Sequence, residues 1–250
     1  YDAQSLKAAI AESAGLVDAA LDAMLPPPHG KQARVQEAMR YAIQAGGKRL
    51  RPFLVLQAAR LFGVPDARAL RVGAAIEALH TYSLVHDDLP CMDDDDLRRG
   101  RPTTHIAFDE MTAVLAGDAL LTIAFEFLAG QQTHANAEVR SALVLRLAEA
   151  SGHVGMIGGQ IIDMLADESF GIADVIELQR KKTGQLFEFS ARQVPFWARP
   201  RRKTVPASRR MPRRWVWSSR SPTICWTSHP PPRRPARRWA RMPMPASRRW

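Results

Sequence analysis

The sequence predicts an all-α fold, and three observations lead to that prediction. Apolar residues recur at spacings of three and four from residue 3 to about residue 190, which is the period of one helix face. The alternation of apolar and polar residues that is typical of a half-buried strand is absent from the same stretch. Several segments are apolar nearly all round, as in helices at the centre of a large bundle. We therefore expect residues 1–192 to form one all-helical domain.

Six segments carry the helical pattern, and residues at their ends act as start and stop signals. The first segment is stopped by the three prolines at 26–28, because proline cannot continue a helix. The second starts after Pro52 and ends at Gly63, with proline at its front and glycine at its back. In chain order the segments are SLKAAIAESAGLVDAALDAML, PFLVLQAARLFG, ARALRVGAAIEALHTYSLVHDDL, IAFDEMTAVLAGDALLTIAFEFLAG, NAEVRSALVLRLAEASG and ADVIELQRKKTGQLFEFSARQ.

Charge divides the chain into two parts near residue 192. Of the 35 Lys and Arg residues, 16 lie in residues 193–250, which hold no Asp or Glu, and the other 19 stand against 25 acidic residues. The same tail holds all 6 Trp and 11 of the 18 Pro. The net charge of +10 therefore belongs to the tail and does not by itself indicate a nucleic-acid partner.

Cysteine use and hydropathy favour a soluble cytoplasmic protein. The two cysteines, Cys91 and Cys225, lie far apart without metal-ligand spacing, so a disulfide framework is not expected. No apolar run approaches the roughly 20 residues that span a bilayer, and the first residues lack the layout of a signal peptide. Because residue 1 is Tyr rather than Met, we expect the chain to have been trimmed at its start.

The segment LVHDDLPCMDDDDLRRGRP, residues 84–102, holds six carboxylates within ten residues. His80, Leu84 and Asp87 share a helix face, whereas Asp93 would not, since six residues turn an ideal helix by about 600°. A bulge at 89–92, where Pro90 removes a helix hydrogen bond, would bring Asp87 and Asp93 to one side. Grouped carboxylates favour a bound cation, and Mg²⁺ prefers one or two carboxylates plus substrate phosphates. Taken alone, the run could equally be a solvated acidic loop.

Two basic segments suggest what the acidic run faces. GGKRLRP, residues 46–52, places three cations after two glycines, and LRRGRP, residues 97–102, places three arginines directly after the aspartates. Arg binds phosphate by a planar fork and Lys binds it as a point charge. An ordinary charged helix start would also explain the first segment in isolation. The cations are Lys48, Arg49 and Arg51 in the first segment, and Arg98, Arg99 and Arg101 in the second.

The motifs together resemble the trans-prenyltransferases, or polyprenyl diphosphate synthases, and among them the bacterial farnesyl diphosphate synthases. The resemblance covers most of residues 1–191 and implies an isoprenoid-synthase-type helical bundle around a deep central cavity, in a homodimer. Its motifs are GGKRLRP at 46, EALHTYSLVHDDLPCMDDDDLRRGRPTTH at 77, LAGDALLTIAFE at 115, GMIGGQIIDM at 155 and KKTGQLFEFS at 181.

The resemblance also implies which residues act. Asp87, Asp88 and Asp93, in the pattern DDxxxxD, would hold Mg²⁺, or Mn²⁺, on an allylic diphosphate, and with Arg98 and Lys182 they would assist its departure. Cationic and polar residues from the other motifs would bind the two substrates. Those for isopentenyl diphosphate are Lys48, Arg51, His80 and Arg99, and those for the allylic diphosphate are Arg98, Gln160, Lys182 and Thr183.

The implied reaction is chain-elongating prenyl transfer, in which isopentenyl diphosphate is condensed with dimethylallyl or geranyl diphosphate. The diphosphate leaves, an allylic carbocation forms, the double bond of isopentenyl diphosphate attacks it, and a proton is lost. Tyr82 lies five residues before Asp87, about 7.5 Å back along a helix. The resemblance implies that this ring limits the product to fifteen carbons; a plain core aromatic and a twenty-carbon product are the alternatives.

Residues 193–250 lack the second aspartate motif of the family, and their sequence suggests a shifted reading frame. One permitted coding of WVWSSRSPTICWTS, residues 215–228, reads GLVFQIADDLLDV when shifted by two bases. Because Trp has a single codon, the shifted codon across Trp226 and Thr227 must encode Asp. We expect an insertion or deletion near residues 191–193, which leaves the helical domain incomplete. The basic tail would then be non-native or disordered, and the chain poorly stable and nearly inactive.

Two alternatives belong to other functional classes. The basic tail with its tryptophans could be a nucleic-acid or membrane-surface arm on a noncatalytic helical body. Terpene cyclisation also uses an aspartate-rich metal motif, but a cyclase has no second diphosphate for GGKRLRP and LRRGRP to bind.

Overall fold

The computed structural model describes residues 2–167 and 169–192 of the chain. The expected tail and the shifted aspartate motif lie in residues 193–250, outside the described residues. Helices dominate the described part, as the sequence predicts. They are α1 (Ala3–Met24), α2 (Ala33–Ile43), α3 (Leu50–Leu61), α4 (Asp66–Asp87), α5 (Thr104–Ala107), α6 (Glu110–Ala129), α7 (Ala137–Ser151), α8 (Met156–Met164), α9 (Ile172–Gln179) and α10 (Gln185–Arg192).

Three short elements complete the described chain. A 3-10 turn spans Gly30–Gln32, and a π-helical turn spans Arg180–Gly184 between α9 and α10. Strands β1 (Leu97–Arg98) and β2 (Arg101–Pro102) form an antiparallel hairpin. The sequence analysis did not predict this hairpin. Its turn places Arg99 at φ 54° and Gly100 at φ 78°, the two positive values of a type I′ turn.

The helix boundaries differ from the predicted segments at three places, each for a local reason. The segment predicted as 106–130 breaks into α5 and α6, because the Asp109 side chain caps α6 by accepting from the Thr112 amide at 2.6 Å. Helix α3 begins at Leu50 rather than after Pro52, since proline is tolerated in the first turn. The last segment is interrupted by the π-helical turn, against which α8 packs closely.

Helix α4 is the central element of the core. It packs against α3 and α6, and twelve of its residues are buried, which confirms the prediction of a helix surrounded by others. Leucines from α3, α4, α6, α7 and α10 fill the space around it. The largest of these fully buried side chains are Leu56, Leu79, Leu120, Leu128, Leu143, Leu147 and Leu186.

Helix α6 corrects the expectation that no apolar run approaches membrane-spanning length. Over the residues that the structure describes, it is the one helix that is long and apolar enough to cross a membrane. It has 20 residues and a mean hydropathy of 1.7 in its most apolar window. Half of that window is buried inside the fold, where α6 packs against α2 and α4. Core helices of globular proteins have the same length and composition, so α6 is weak evidence for a membrane span.

Gly159 lets α8 approach the π-helical turn, and Gly159→Ala should destabilise the fold by about 1–3 kcal/mol. The new Cβ would lie 2.1 Å from the Lys182 backbone nitrogen, a contact that no side-chain rotation relieves. Gly15→Ala is the matched control, since nothing lies within 4 Å of a Cβ there. Alanine inside α1 should instead stabilise by up to about 1 kcal/mol. Urea denaturation of both variants measures the two effects, and equal effects would contradict the close packing of α8.

Candidate active site

The acidic run leaves α4 as a loop that folds back on the helix end. Helix α4 ends at Asp87, and a bend and turns occupy residues 89–92, where the sequence predicts a bulge. The Asp93 amide donates to the Asp87 carbonyl at 2.8 Å, and the Asp95 amide donates to the Asp88 carbonyl at 3.2 Å. Backbone hydrogen bonds thus bring Asp93 beside Asp87, and this proximity is what the predicted bulge implied.

Asp87 and Asp93 form a pair of neighbouring carboxyl groups. Burial raises the pKa of Asp87 to about 6; the Lys182 charge opposes this rise and the Asp93 charge adds to it. No group of three or more His, Cys, Asp or Glu side chains suited to a metal occurs in residues 2–167 and 169–192. Two hard oxygen donors that disfavour each other's charge fit a Mg²⁺ ion that takes its remaining ligands from water and phosphate.

Asp88 is engaged differently from its two neighbours. Its side chain is buried, and the Arg98 Nε lies 2.8 Å and 2.9 Å from its two oxygens. The hydrogen bond to Asp88 raises the pKa of Arg98. Both oxygens of Asp88 therefore already face a cation, whereas the sequence placed this residue among the metal ligands.

His80 is a half-buried residue of α4 on which the charges of several arginines act. Burial first, and then the positive charges of Arg51, Arg99, Arg98 and Arg49, hold the pKa of His80 well below its usual value. The Arg51 guanidinium lies 4.7 Å from the Phe187 ring centre, in a cation–π contact. A neutral imidazole among fixed cations can donate a hydrogen bond to an anion without adding a charge that must be desolvated.

Arg49 does not belong with the phosphate-binding cations of its segment. Its side chain turns inward and is buried, and its Nη1 donates to Glu77 Oε1 at 2.7 Å. The adjacent Lys48 is exposed. Sequence analysis did not single out Glu77; an acidic residue in the middle of the buried helix α4 was the signal that could have identified it, because buried acids are paired.

Arg99 approaches the same segment from the hairpin. A Cβ on Gly47 would lie 2.4 Å from Arg99 Nη1, so the guanidinium rests directly on the glycine backbone. Burial lowers the pKa of Arg99, the Glu77 charge opposes this, and the Arg49 and Arg98 charges add to it. The structure therefore brings Arg99, from the second basic segment, beside the first basic segment GGKRLRP.

Three of the four residues expected to contact the allylic diphosphate come from α8 and the π-helical turn, and the fourth, Arg98, comes from β1. Lys182 Nζ lies 2.5 Å from Asp163 Oδ2, and its charge acts on Asp87. Thr183 follows Lys182 in the same turn. Gln160 Nε2 is buried and has no hydrogen-bond partner in the part of the chain described. A buried amide donor without a partner is rare in native proteins and is consistent with a place for a ligand oxygen.

Tyr82 is buried between α4 and α6. Its ring meets the His86 ring edge-on, with 5.3 Å between their centres. Burial, followed by the charges of Asp87 and Asp118, raises the pKa of Tyr82. The ring therefore lies within electrostatic reach of the aspartate site, one turn deeper along α4.

Asp88→Asn and Asp87→Asn should have different effects on stability in the absence of divalent metal. Asp88→Asn removes the charged partner of Arg98 and is expected to cost about 1.5–3 kcal/mol. Asp87→Asn removes a carboxylate that burial and Asp93 disfavour, so the free energy of unfolding should stay the same or rise slightly. Chemical denaturation in the presence of a chelator measures both, and equal losses would contradict the distinction between the two aspartates.

Comparisons with known proteins show which family the chain is similar to. The family model described as polyprenyl synthetase matches residues 32–210. The farnesyl diphosphate synthase of Bacillus subtilis is 48% identical over 157 residues, which cover 62% of this chain and 53% of that protein. The farnesyl diphosphate synthase of Escherichia coli is 45% identical over 175 residues, which cover 69% and 58%. The chain thus spans little more than half the length of these relatives.

A solved structure supports the fold. The FPP/GFPP synthase from Zymomonas mobilis in its apo form superposes with a TM-score of 0.76 at 46% identity, and the match covers 80% of this chain and 73% of that one. The all-α, isoprenoid-synthase-type fold expected from the motifs is thereby confirmed. Since the family model covers most of the chain, this protein belongs to the polyprenyl synthetase family.

Proposed function

We propose that this protein, in its native reading frame, is a chain-elongating prenyltransferase that forms farnesyl diphosphate from isopentenyl diphosphate and dimethylallyl or geranyl diphosphate. One observation supports the proposal: two groups of side chains of different charge lie along α4. His80 lies among arginine charges, and Asp87 lies beside Asp93 and within reach of Lys182. Seven residues of helix separate His80 from Asp87, about 10 Å, so two diphosphates could bind side by side.

The residues divide the work between the two substrates. Lys48, Arg51, Arg99 and the neutral His80 would hold isopentenyl diphosphate and orient its double bond. Asp87 and Asp93 would hold Mg²⁺, or Mn²⁺ in its place; when bound, the metal neutralises charge on the leaving diphosphate. Asp88 would orient Arg98. The groups that would bind the leaving diphosphate directly are Arg98, Gln160, Lys182 and Thr183.

Positioning and electrostatics account for this chemistry without a protein nucleophile. The carbon–oxygen bond of the allylic diphosphate breaks, and the pair of electrons leaves with the diphosphate. The double bond of isopentenyl diphosphate forms the new carbon–carbon bond, and loss of a proton restores a double bond. Fixed cations assist because they are already oriented before negative charge develops on the leaving group.

A twenty-carbon product is the second candidate within the same reaction. Similarity to a geranylgeranyl pyrophosphate synthase from Catharanthus roseus supports this candidate. The two are 49% identical over 142 residues, which cover 57% of this chain and 39% of that one. The buried Tyr82 favours the fifteen-carbon product, because a ring beneath the metal site would block a longer chain. We further propose a cytoplasmic homodimer.

The reading-frame hypothesis also remains a proposal. The noncatalytic alternative, a helical body with a polyanion-binding tail, would require residues 193–250 to be encoded as written. The gene sequence around codon 192 distinguishes the two. If a base has been inserted or deleted there, correcting that change restores the reading GLVFQIADDLLDV.

The frame-restored protein should condense isopentenyl and geranyl diphosphates in the presence of Mg²⁺, whereas the present chain should form little or no product. The second aspartate motif is absent from the sequence of the present chain, so the charge of the leaving diphosphate would be less well neutralised. Radiolabelled isopentenyl diphosphate and chromatography of the products measure both. Equal turnover by the two proteins would contradict the reading-frame hypothesis, and no turnover by either would contradict the function.

Tyr82→Ala in the frame-restored protein should lengthen the product from fifteen to twenty carbons or more. Removal of the ring opens space one helical turn below Asp87. Product chain length by mass spectrometry is the measurement, and Phe62→Ala is the control, since Phe62 follows the last residue of α3 and precedes α4, at the opposite end of α4 from Asp87. An unchanged product length would assign Tyr82 to the core alone.

A further inference from the structure

Arg49 ties together the elements that surround the basic segment. Its Nε donates to Asp18 of α1 at 2.8 Å, its Nη2 donates to the Ile43 carbonyl at the end of α2 at 2.7 Å, and its Nη1 donates to Glu77 of α4 at 2.7 Å. Arg49 itself precedes the first turn of α3. One guanidinium therefore connects four helices at the point where the segment turns.

The backbone around Arg49 has an unusual shape that this guanidinium holds. Gly46, Gly47 and Arg49 have φ of 78°, 145° and 46°, in the range where only glycine is unstrained. A non-glycine residue there persists when its surroundings fix it. The buried hydrogen bonds of the Arg49 side chain provide that fixation from behind, while Lys48 faces outward.

Glu77 is the buried half of this arrangement. The exposed fractions of the Glu77 and Arg49 side chains are 4% and 2%, so Glu77 would be an uncompensated buried charge without Arg49, while Arg49 without Glu77 would keep only the more exposed Asp18. Glu77 precedes His80 by one turn of α4, and its charge also acts on Arg99. The pair thus lies behind the cations that face the proposed isopentenyl diphosphate.

We infer that Glu77 and Arg49 form a positioning pair, which fixes residues 46–51 so that Lys48, Arg51 and Arg99 face one diphosphate. This inference rests on the proposed function and adds to it two residues that do not touch the substrate. Arg49 does this without binding the diphosphate itself, because its donors are taken up by Asp18, Glu77 and the Ile43 carbonyl.

Positioning and simple charge attraction predict different signs for Glu77→Gln. Removal of a negative charge beside cations should strengthen anion binding if attraction alone matters. If the pair positions the loop, Glu77→Gln should instead weaken binding, as should Arg49→Gln. Because the two residues act as one unit, the double variant should bind no more weakly than either single variant.

Isothermal titration of the frame-restored protein with isopentenyl diphosphate, without Mg²⁺, tests this. We expect each single variant and the double variant to bind about tenfold more weakly than the wild type, a change of about 1.4 kcal/mol. Asp66→Asn is the matched control: it removes a carboxylate of α4 that also pairs with an arginine, Arg60, at 2.8 Å, but away from the site. Its affinity should stay within about twofold of the wild type.

Thermal melting of each variant establishes that a folded protein is compared. If a single variant is unfolded, the double variant decides, because it leaves no buried charge uncompensated. Equal or tighter binding by folded Glu77→Gln, or wild-type binding by the double variant, would overturn the positioning role alone. Failure of the wild type to bind isopentenyl diphosphate would overturn the proposed function together with this inference.

Discussion

Negative charge at the buried end of α4 must be balanced by positive charge from elsewhere, and the arrangement of the site depends on this constraint. The C-terminal end of a helix already carries partial negative charge from its carbonyl groups, and Asp87 adds a carboxyl whose pKa is raised to about 6. Asp88 is balanced within the protein by Arg98. The charges of Lys182 and Arg98 lower the pKa of Asp87, but burial together with the charges of Asp93 and Asp88 outweighs them. The balance that remains is of the kind that a divalent cation and its phosphate ligands supply.

The positive charges lie around His80, at a different depth along α4 from the aspartates. Around His80, Arg51 and Arg99 are held near one another although like charges repel, and the buried Glu77 offsets part of that repulsion from behind. A neutral His80 contributes a hydrogen-bonding group without increasing the repulsion. Residues that never meet a substrate therefore have as large a part in the electrostatics as those that do, and Glu77 with Arg49 is the clearest example.

Much of the fold and the composition of the site could be predicted from the sequence. Helical periodicity located α1, α4, α6 and α7 closely, because their apolar faces are long and regular. Charge clusters identified the aspartate run and both basic segments. The sequence could not distinguish Arg49 from Lys48 and Arg51, since the left-handed turn that directs Arg49 inward depends on its tertiary partners. For the same reason it could not show that Asp88 pairs with Arg98, or that a hairpin follows the aspartates.

The central claim is that Asp87 supports a metal-dependent diphosphate site which is separate from the metal-independent site at His80. Titration of the frame-restored protein with geranyl diphosphate and with isopentenyl diphosphate, each with and without Mg²⁺, tests that separation most directly. The account predicts that Mg²⁺ strengthens the binding of geranyl diphosphate, that Asp87→Asn removes this gain, and that isopentenyl diphosphate binds equally well without the metal. A Mg²⁺ effect that is the same for both ligands, or that persists in Asp87→Asn, would contradict it.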